Sequence, residues 1–380
     1  MSWPLVPFNE VVKDVTSGND KIKSKDYLSI GILPIIDQGK QFIGGYIDDL
    51  SLACKANLPV IVFGDHTKEI KYLDQSFALG ADGVKILKPS IKNLNEKYLF
   101  YYLKQAKLPD DAGYSRHFKF LKRLQIPLPP LEEQKRIAAI LDQANAVRLK
   151  RQQTIQLGEQ FLRSVFLDMF GDPITNPKGL PTSSLIEVSK KVTDGTHQSP
   201  VWSETGIPFL FISNIVNNEI SFQVDKYITE KNWLELTKNS PIEEGDVLYT
   251  TVGSYGNAAL VKDNTRFCFQ RHIAHIKPIK NIIHPTFLWV MMNSPGIKKQ
   301  ADKQARGIAQ KTLNLGELKQ FIIFVPPMSK QIEFVNIVTQ HKAILNKLIA
   351  KFSLANNLFN SLTQQVFSGE LNNQTKVEST

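Results

Sequence analysis

The feature that most constrains the fold of this chain is an internal repeat. The segment IPLPPLEEQKRIAAILDQ, which begins at Ile126, returns as IFVPPMSKQIEFVNIVTQ, which begins at Ile323. Matched positions such as Gln134 and Gln331 stay 197 residues apart (331 − 134 = 197) through this block. An earlier block keeps an offset of 177 (181 − 4 = 177) and pairs Pro4, Glu10, Val11 and Gly18 with Pro181, Glu187, Val188 and Gly195. The chain is therefore built from two copies of one unit, each a variable globular part followed by a repeated segment.

Length and composition favour a globular protein with two domains. A chain of 380 residues is longer than one hydrophobic core usually serves. No apolar run approaches the roughly 20 residues that span a bilayer, and the first residues lack the pattern of a signal peptide. The two cysteines, Cys54 and Cys268, fall in different copies, which argues against a disulfide framework and favours a cytoplasmic location.

The charge balance is basic. Lys plus Arg outnumber Asp plus Glu by 46 to 36, which gives a net charge of +10. Such an excess is typical of proteins that bind the phosphate backbone of nucleic acids. Solvated charged faces on a protein of another class would produce the same balance, so charge alone leaves both interpretations open.

Each repeated segment predicts a long helix. A proline pair stops the preceding strand and suits a first helical turn, and about 40 residues without a further proline make a helix of roughly 60 Å. Apolar positions recur every three or four residues, the pattern of a seam for a second helix. The predicted seam contains Leu141, Ile155, Gly158, Leu162 and Val165 in the first copy and Leu345, Leu348, Phe352, Ala355, Phe359 and Leu362 in the second. We expect the helices to pair with each other in antiparallel fashion; the alternative is that each packs separately on its own domain.

The variable parts, residues 1–125 and 172–322, are predicted to mix sheet and helix. Short β-rich runs such as LPVIVFGD and GDVLYTTVG alternate with turns and with helical patches such as NEKYLFYYLKQ. Both copies have strands, a Gly-rich turn, a strand that ends in Lys88-Pro89 or Lys277-Pro278, and a helix, but their loops are dissimilar. The expected fold class is α+β (mixed α/β) with an internal pseudo-two-fold repeat.

The order of these segments resembles a known family. PLPPLEEQKRIAAILD and its second copy are similar to the two constant regions of type I restriction–modification specificity subunits. FGDHT and LGADGVKIL in the first variable part, and DGTH, GIPFLFISNI, VGSYGN and QRHIAHIKP in the second, resemble the variable regions of the same family. The second constant region departs from the first by placing Ser329 and Lys330 where the first has Glu132 and Glu133.

The resemblance implies a division into five segments. Residues 1–125 would be one target-recognition domain, 126–171 a spacer helix, 172–322 a second recognition domain and 323–370 a second spacer helix. Residues 371–380 would form a disordered tail. Each recognition domain would bind one half of a bipartite, asymmetric site on double-stranded DNA.

The resemblance also implies partners and the absence of chemistry in this chain. The helices would dock two methyltransferase subunits, which flip and methylate an adenine using S-adenosylmethionine, and a restriction subunit driven by ATP and Mg would join through them. No cofactor, metal or catalytic residue is expected in this chain. The alternative is a repeat-built scaffold or a single-domain enzyme whose active site is not recognised.

Motifs for catalysis are weak or missing. The proline pairs do not follow Asp or Asn as an amino-methyltransferase requires, and VGSYGN lacks the Lys-Ser/Thr of a P-loop. A nuclease pattern through Asp110, Glu133 and Lys135 runs into a helix start and is lost in the second copy. His272 and His275 would face opposite sides of a strand, which disfavours a metal site.

The candidates for DNA contact are polar side chains on loops, which suit the major groove. In the first copy they are Asp65, His66, Thr67, Lys68, Tyr114, Arg116, His117 and Lys119. In the second copy they are Thr196, His197, Gln198, Ser254, Tyr255, Asn257, Arg271 and His272. A basic group is better suited to phosphates, which position a protein without specifying sequence; it comprises Lys298, Lys299, Lys303, Arg306 and Lys311. For any single member, a solvated polar residue is slightly the better interpretation, and the prediction is stronger for the loops as groups.

Overall fold

The computed structural model describes residues 3–80, 83–109, 116–307 and 311–368. The predictions for Asp110, Tyr114 and the tail therefore lie outside the described residues. The chain divides into two compact units. Unit 1 is Met1–Gln153 with Ile349–Thr380, and unit 2 is Thr154–Leu348. This division cuts both long helices, so each unit holds one half of each.

Unit 1 contains two four-stranded sheets and a two-stranded ribbon. Its strands are β1 (Leu5–Pro7), β2 (Val12–Asp14), β3 (Lys21–Ile22), β4 (Leu33–Ile36), β5 (Gly45–Ile47), β6 (Val60–Gly64), β7 (Ile70–Leu73), β8 (Ala78–Gly80), β9 (Val84–Pro89) and β10 (Gln125–Pro127). Its helices are α1 (Phe8–Val11), α2 (Glu96–Gln105), α3 (Phe118–Leu121) and the first half of α4 (Leu131–Phe170). The sheet β2-β9-β6-β7 is antiparallel, and β3-β8-β4-β5 is mixed.

Unit 2 repeats the antiparallel sheet and the two-stranded ribbon of unit 1, whereas its second sheet has a different strand order. Its strands are β11 (Thr182–Ser184), β12 (Ser189–Asp194), β13 (Trp202–Ser203), β14 (Ile207–Leu210), β15 (Ile215–Val216), β16 (Glu219–Ile220), β17 (Tyr227–Ile228), β18 (Val247–Thr250), β19 (Ala258–Leu260), β20 (Cys268–Phe269), β21 (Ile273–Pro278) and β22 (Ile322–Phe324). Its helices are α5 (Glu230–Thr237), α6 (Pro285–Met292), α7 (Pro295–Gln304), α8 (Leu315–Lys319) and part of α9 (Met328–Ser368). The sheet β12-β21-β18-β19 matches β2-β9-β6-β7 strand for strand, and the second sheet has the order β13-β17-β14-β20. The predicted α+β class with an internal repeat is confirmed.

The strands that form the core are those that the sequence marks as apolar runs. All five residues of β6 are buried, as are all four of β18. The strands β9 and β21 end at Pro89 and Pro278, as expected, because proline cannot donate a ladder hydrogen bond. Across the described residues, no helix combines the length and the apolar composition that a membrane crossing requires.

The long helices begin where the proline pairs predict. Strands β10 and β22 end just before these pairs, and α4 and α9 start at Leu131 and Met328. Helix α4 ends at Phe170, and Gly171 follows with φ of 82°, a left-handed conformation that favours glycine. The predicted C-terminal glycine of the second helix, Gly369, lies outside the described residues.

Within each unit the two long helices run antiparallel. In unit 1, Leu141 from the first half of α4 shares a buried cluster with Val366 from the end of α9. In unit 2, Phe170 from the end of α4 packs against Phe334 from the start of α9, with ring centroids 5.5 Å apart. Both clusters also include side chains from the sheets and shorter helices of their unit. The helices thus pack on each other and on the domains, which combines the two arrangements expected from sequence.

Candidate nucleic-acid interface

In unit 1, the turn after β6 is tied to two remote segments through Asp65. The Asp65 N–H donates to the Gly83 carbonyl at 2.6 Å, and the Asp65 carbonyl accepts from the His117 N–H at 2.8 Å. The Asp65 carboxylate accepts from the Phe118 N–H at 2.7 Å, and only 6% of the residue is exposed. One carboxylate oxygen of Asp65 is therefore bonded inside the protein, where it organises the turn.

A loop that the sequence did not indicate joins the same turn. The loop Asp37–Gln41 follows β4, and its Gln38 side chain accepts from the His66 N–H at 3.2 Å. Lys71, which is 5% exposed, reaches under the loop and donates to the carbonyls of Asp37 and Gln41 at 2.9 and 2.6 Å. Burial lowers the pKa of Lys71, and Asp37 partly offsets this effect. The sequence feature that could have indicated this contact is Lys71, a lysine inside the otherwise apolar strand β7.

The predicted residues of unit 1 separate into exposed and structural groups. Thr67, Arg116 and Lys119 are exposed, and so are Lys40 and Gln41 in the added loop. The remaining candidates within the described residues are half-buried or buried. His66 and Lys68 are half-buried, Lys68 donates to the Pro109 carbonyl at 3.1 Å, and His117 is 5% exposed.

In unit 2, the structure joins four predicted segments through their backbones. The Thr196 N–H donates to the Phe269 carbonyl at 3.0 Å, and the Thr251 N–H donates to the His272 carbonyl at 3.0 Å. The Gly253 N–H donates to the Lys311 carbonyl at 2.9 Å. The loops at 194–198, 251–257 and 270–272 and the segment that begins at Lys311 therefore form one surface.

A repeated glycine explains how two of these loops approach. A Cβ built on Gly195 would lie 2.2 Å from the Phe269 carbonyl oxygen and 2.5 Å from the Gln270 carbonyl oxygen. Any side chain would push the DGTH loop away from β20. The repeat partner Gly18 has free space around it but a φ of 81°. Glycine is therefore required at Gly195 for the close approach of two segments and at Gly18 for a left-handed backbone conformation.

The predicted side chains of unit 2 also divide. His197, Gln198, Ser254 and Arg271 are exposed, and His197 pairs with Asp194 at 2.7 Å. Thr196, Asn257 and His272 are half-buried. Tyr255 is 8% exposed, and its hydroxyl donates to Asp302 at 2.7 Å.

The predicted basic group is not uniform. The Lys298 ammonium lies 3.7 Å from the centre of the Tyr255 ring and pairs with Asp302 at 3.4 Å. Arg306 pairs with Glu317 at 3.1 Å. Lys299, Lys303 and Lys311 are exposed and belong to no ion pair among the described residues. These three lysines are the members best placed to meet phosphates.

An aromatic platform near the DGTH loop was not expected from the sequence. Trp202 is 46% exposed, and Phe209 and Phe211 hold its ring with centroid distances of 5.1 and 6.3 Å. Lys226 lies 5.7 Å from the Trp202 ring centre. Leu210, next to Phe211, accepts from the Gln270 N–H at 3.1 Å, which connects the platform to the surface formed by the four segments.

A buried polar cluster lies beneath these loops. The Asp246 carboxylate accepts from His275 at 2.7 Å and from Lys277 at 2.8 Å. Burial acts to raise the pKa of Asp246, but the bonds from His275 and Lys277 outweigh it and lower this pKa. Among the described residues, no group of three His, Cys, Asp or Glu side chains could hold a metal ion.

The cysteines differ in burial. Cys268 is 3% exposed, and burial raises its pKa to about 11. Cys54 is only half-buried, and burial raises its pKa as well.

The predicted helix seam contains buried and half-buried side chains. Leu141 is fully buried, and the other ten seam residues are partly buried. A Cβ on Gly158 would lie 3.3 Å from Leu345 Cδ1, so the helices approach closely there. By contrast, Leu157, Ile344, Leu354 and Leu358 on the outer faces are 59–69% exposed.

These observations define a repeat-built protein in which two homologous α+β domains, each with a polar loop surface, share a pair of long helices. The chain belongs to the family described as "Type I restriction modification DNA specificity domain", which matches residues 6–159 and 178–353. The two matched regions agree with the two copies found in the sequence.

Relatives of the chain are named as specificity subunits of type I restriction enzymes. The chain is 27% identical over 289 residues to the type I restriction enzyme EcoBI specificity subunit of Escherichia coli, covering 67% of this chain and 60% of that protein. It is 24% identical over 366 residues to the EcoR124I/EcoR124II specificity subunit of the same species, covering 90% of this chain and 87% of that protein. The crystal structure of the type I restriction–modification S subunit from M. genitalium superposes with a TM-score of 0.58 at 15% identity, covering 97% and 96% of the two chains. That likeness establishes a shared fold.

Proposed function

We propose that this chain is the DNA sequence-specificity subunit of a type I restriction–modification enzyme and that each unit reads one half of a bipartite, asymmetric site. The observation that carries this proposal is one scaffold with two different loop surfaces. The turn after β6 reads GDHTKE, whereas the turn after β18 reads TVGSYGN. Because the loops differ while the strands match, the two half-sites are expected to differ in sequence. Family membership favours this function over a scaffold or a single-domain enzyme.

The relatives are subunits of restriction enzymes, which supports partners of the same kind here. We infer that the helices dock two adenine methyltransferase subunits and, through them, a restriction subunit. The outer faces of α4 and α9 carry the apolar side chains that such docking needs, among them Leu157, Ile344, Leu354 and Leu358. S-adenosylmethionine would then belong to the methyltransferase, and ATP and Mg to the restriction subunit, all in the cytoplasm with the host DNA.

We further propose that the chain is not itself catalytic. The buried side chains of Asp65, Asp246 and His275 form hydrogen bonds that stabilise the fold. Asp65 fixes a turn, and Asp246 and His275 bond to each other in the interior. Recognition alone requires neither a nucleophile nor a general base, and exposed arginines on loops are sufficient for base contacts.

Two single substitutions test the assignment of half-sites. Arg116 and Arg271 are exposed and form no ion pair among the described residues. Arg116→Ala is expected to weaken sequence discrimination in one half-site and Arg271→Ala in the other. The reason is that a bidentate contact from arginine to guanine contributes about 1–3 kcal/mol of discrimination between bases. The measurement is selection of bound duplexes from a randomised pool by the full chain with its methyltransferase. Each variant is the control for the other, and loss of both half-sites in one variant would contradict the proposal.

A further inference from the structure

Unit 1 contains a groove between the end of α2 and the paired halves of α4 and α9. The groove encloses about 680 Å³. Its walls include Lys104 and Lys107 at the end of α2, Arg148 on α4 and Phe359 on α9. None of these residues belongs to the loops that carry the predicted base contacts, so the groove needs a separate explanation.

The cations of this groove lack acidic partners. The Arg148 guanidinium lies 5.2 Å from the centre of the Phe359 ring, and its terminal nitrogen donates to the Asn145 amide oxygen at 2.8 Å. The Lys104 ammonium lies 5.2 Å from the Phe100 ring centre. Across the part of the chain that the structure describes, Lys104, Lys107 and Arg148 form no ion pair. The groove therefore presents positive charge that nothing described in this chain neutralises by direct contact.

The pKa of Lys104 is lowered in this groove. Burial lowers the pKa of Lys104, the charge of Arg148 lowers it further, and Glu69 acts in the opposite direction. Asp142, a nearby carboxylate on α4, is already paired with Lys97 at 2.6 Å. An anion bound in the groove would relieve the repulsion between the two cations.

The same groove occurs in unit 2 without these cations. Phe359 matches Leu162 at the helix offset (359 − 162 = 197), and Leu162 lines the second groove. At that offset Arg148 matches Leu345 (345 − 148 = 197).

Lys104 is replaced in the same way. The helix α2 matches α6 at an offset of 189, because Gln134 bonds to Asn95 as Gln331 bonds to His284 (284 − 95 = 189). Lys104 therefore matches Asn293 (293 − 104 = 189), whose side chain is bonded to Ala258. The second groove is lined by one arginine, Arg163, which matches Asn360 (360 − 163 = 197), and by the acidic Asp172. The fold thus forms this groove without cations at the positions of Lys104 and Arg148, and the greater positive charge in unit 1 points to a ligand.

Continuity with the recognition loops identifies the ligand. Lys68, in the turn that contains His66 and Thr67, donates to the Pro109 carbonyl two residues beyond Lys107. The positive groove thus adjoins the loop surface of unit 1. Phosphate oxygens suit both the planar arginine fork and the lysine ammonium, and they carry no sequence information.

We propose that this groove binds the phosphate backbone of the duplex flanking the half-site that unit 1 reads, an inference that rests on the proposed function. Unit 1 would then hold its DNA by a backbone clamp that unit 2 lacks. A carboxylate-rich surface of a partner protein is the competing occupant, and the experiment below separates the two.

The test measures the salt dependence of DNA binding by the full chain, alone and assembled with its methyltransferase subunits. Lys104→Met with Arg148→Met keeps both aliphatic stems and removes both charges. Lys347→Met with Lys351→Met removes the same charge from exposed positions on α9 and is the matched control. The probes are a duplex that carries the selected site and the same duplex with scrambled half-sites.

We expect the slope of log affinity against log salt to fall by about 0.9 for each lost phosphate contact, equally on both duplexes. Half-site preference should stay unchanged, and the control pair should keep the wild-type slope.

An unchanged slope in the groove variant, or an equal change in the control pair, overturns the inference. Loss of methyltransferase assembly with an unchanged slope also overturns it, in favour of a protein ligand. A wild-type chain that prefers no DNA sequence would instead refute the proposed function, while a groove effect on its non-specific binding would still support the clamp.

Discussion

Two buried glutamines, Gln134 and Gln331, make the same set of hydrogen bonds within the two copies of the repeat. The Gln134 side chain donates to the carbonyls of Asn93 and Pro129, both at 2.8 Å, and accepts from the Asn95 N–H at 2.8 Å. Gln331 makes the equivalent bonds in unit 2. Both side chains are fully buried. Each glutamine therefore joins the start of a long helix to the segment that precedes a domain helix.

Replacing Gln134 with Leu should destabilise unit 1 strongly. Leucine has a similar size but removes the partner of the buried Pro129 carbonyl and of the part-buried Asn93 carbonyl and Asn95 N–H, and a buried group left unsatisfied costs about 1–3 kcal/mol. We expect a loss of more than about 2 kcal/mol in the free energy of unfolding, measured by urea denaturation of the full chain. The control is Gln153→Leu, because Gln153 is exposed on the same helix. Equal stability of the two variants would show that the buried bonds contribute nothing.

The repeated glutamines were visible in the sequence, but the duties of the loop residues were not. Asp65, Tyr255 and His117 have the residue types that read bases, and the sequence predicts them as contacts. In the folded chain Asp65 and Tyr255 bond to their own protein, and His117 is buried. Residue type alone does not show whether a neighbour remote in sequence has taken the polar group. For the same reason the Asp37–Gln41 loop was missed, because its link to the turn arises only through tertiary contacts.

At the scale of elements, local signals located the long helices well. Proline pairs and Gly171 mark ends that the structure places within a few residues of the expected positions. The three-and-four spacing predicts a seam because side chains on one helical face depend only on local geometry. The strand order depends on contacts between distant segments, which periodicity does not encode. The sequence therefore predicted strands and their class but not that β9 lies between β2 and β6.

Neighbouring residues on α9 test the seam directly. Leu345 is half-buried against Gly158, whereas Ile344 is 59% exposed. Leu345→Asp should cost several kcal/mol because it buries an unpaired charge, and Ile344→Asp should change stability by less than about 0.5 kcal/mol. Thermal unfolding of both variants supplies the comparison. If the two substitutions lowered stability equally, Leu345 would not lie in a seam.

The same pair also separates folding from docking. Ile344→Asp leaves the seam intact but places a charge on an exposed apolar face. We expect this variant to fold normally and to bind the methyltransferase less tightly. Unchanged assembly in Ile344→Asp would move the docking surface elsewhere on the helices.

At the scale of the whole molecule, the repeat predicts that the first half of the chain can form a dimer, in which a second copy takes the place of the missing second half. In unit 1, Leu141 packs in a cluster with Phe359, Leu362 and Val366 of α9. A fragment of residues 1–172 lacks α9, but its own α4 carries apolar residues at the matching positions. These are Leu162, Val165 and Met169, each 197 residues earlier (359 − 162, 362 − 165 and 366 − 169). A second copy of the fragment could therefore supply the missing side of the core.

We expect this fragment to form a dimer with a true two-fold axis, because apolar side chains left uncovered in a monomer would be buried by the second α4. The dimer should select an inverted repeat of the half-site that unit 1 reads, since both copies carry the same loops. Analytical ultracentrifugation gives the oligomeric state, and selection from a randomised duplex pool gives the site. The control fragment carries Leu141→Asp, which should abolish the dimer by placing a charge in the shared core. A wild-type fragment that stays monomeric in the presence of the methyltransferase would show that the two long helices are not interchangeable, despite the constant offset that relates them.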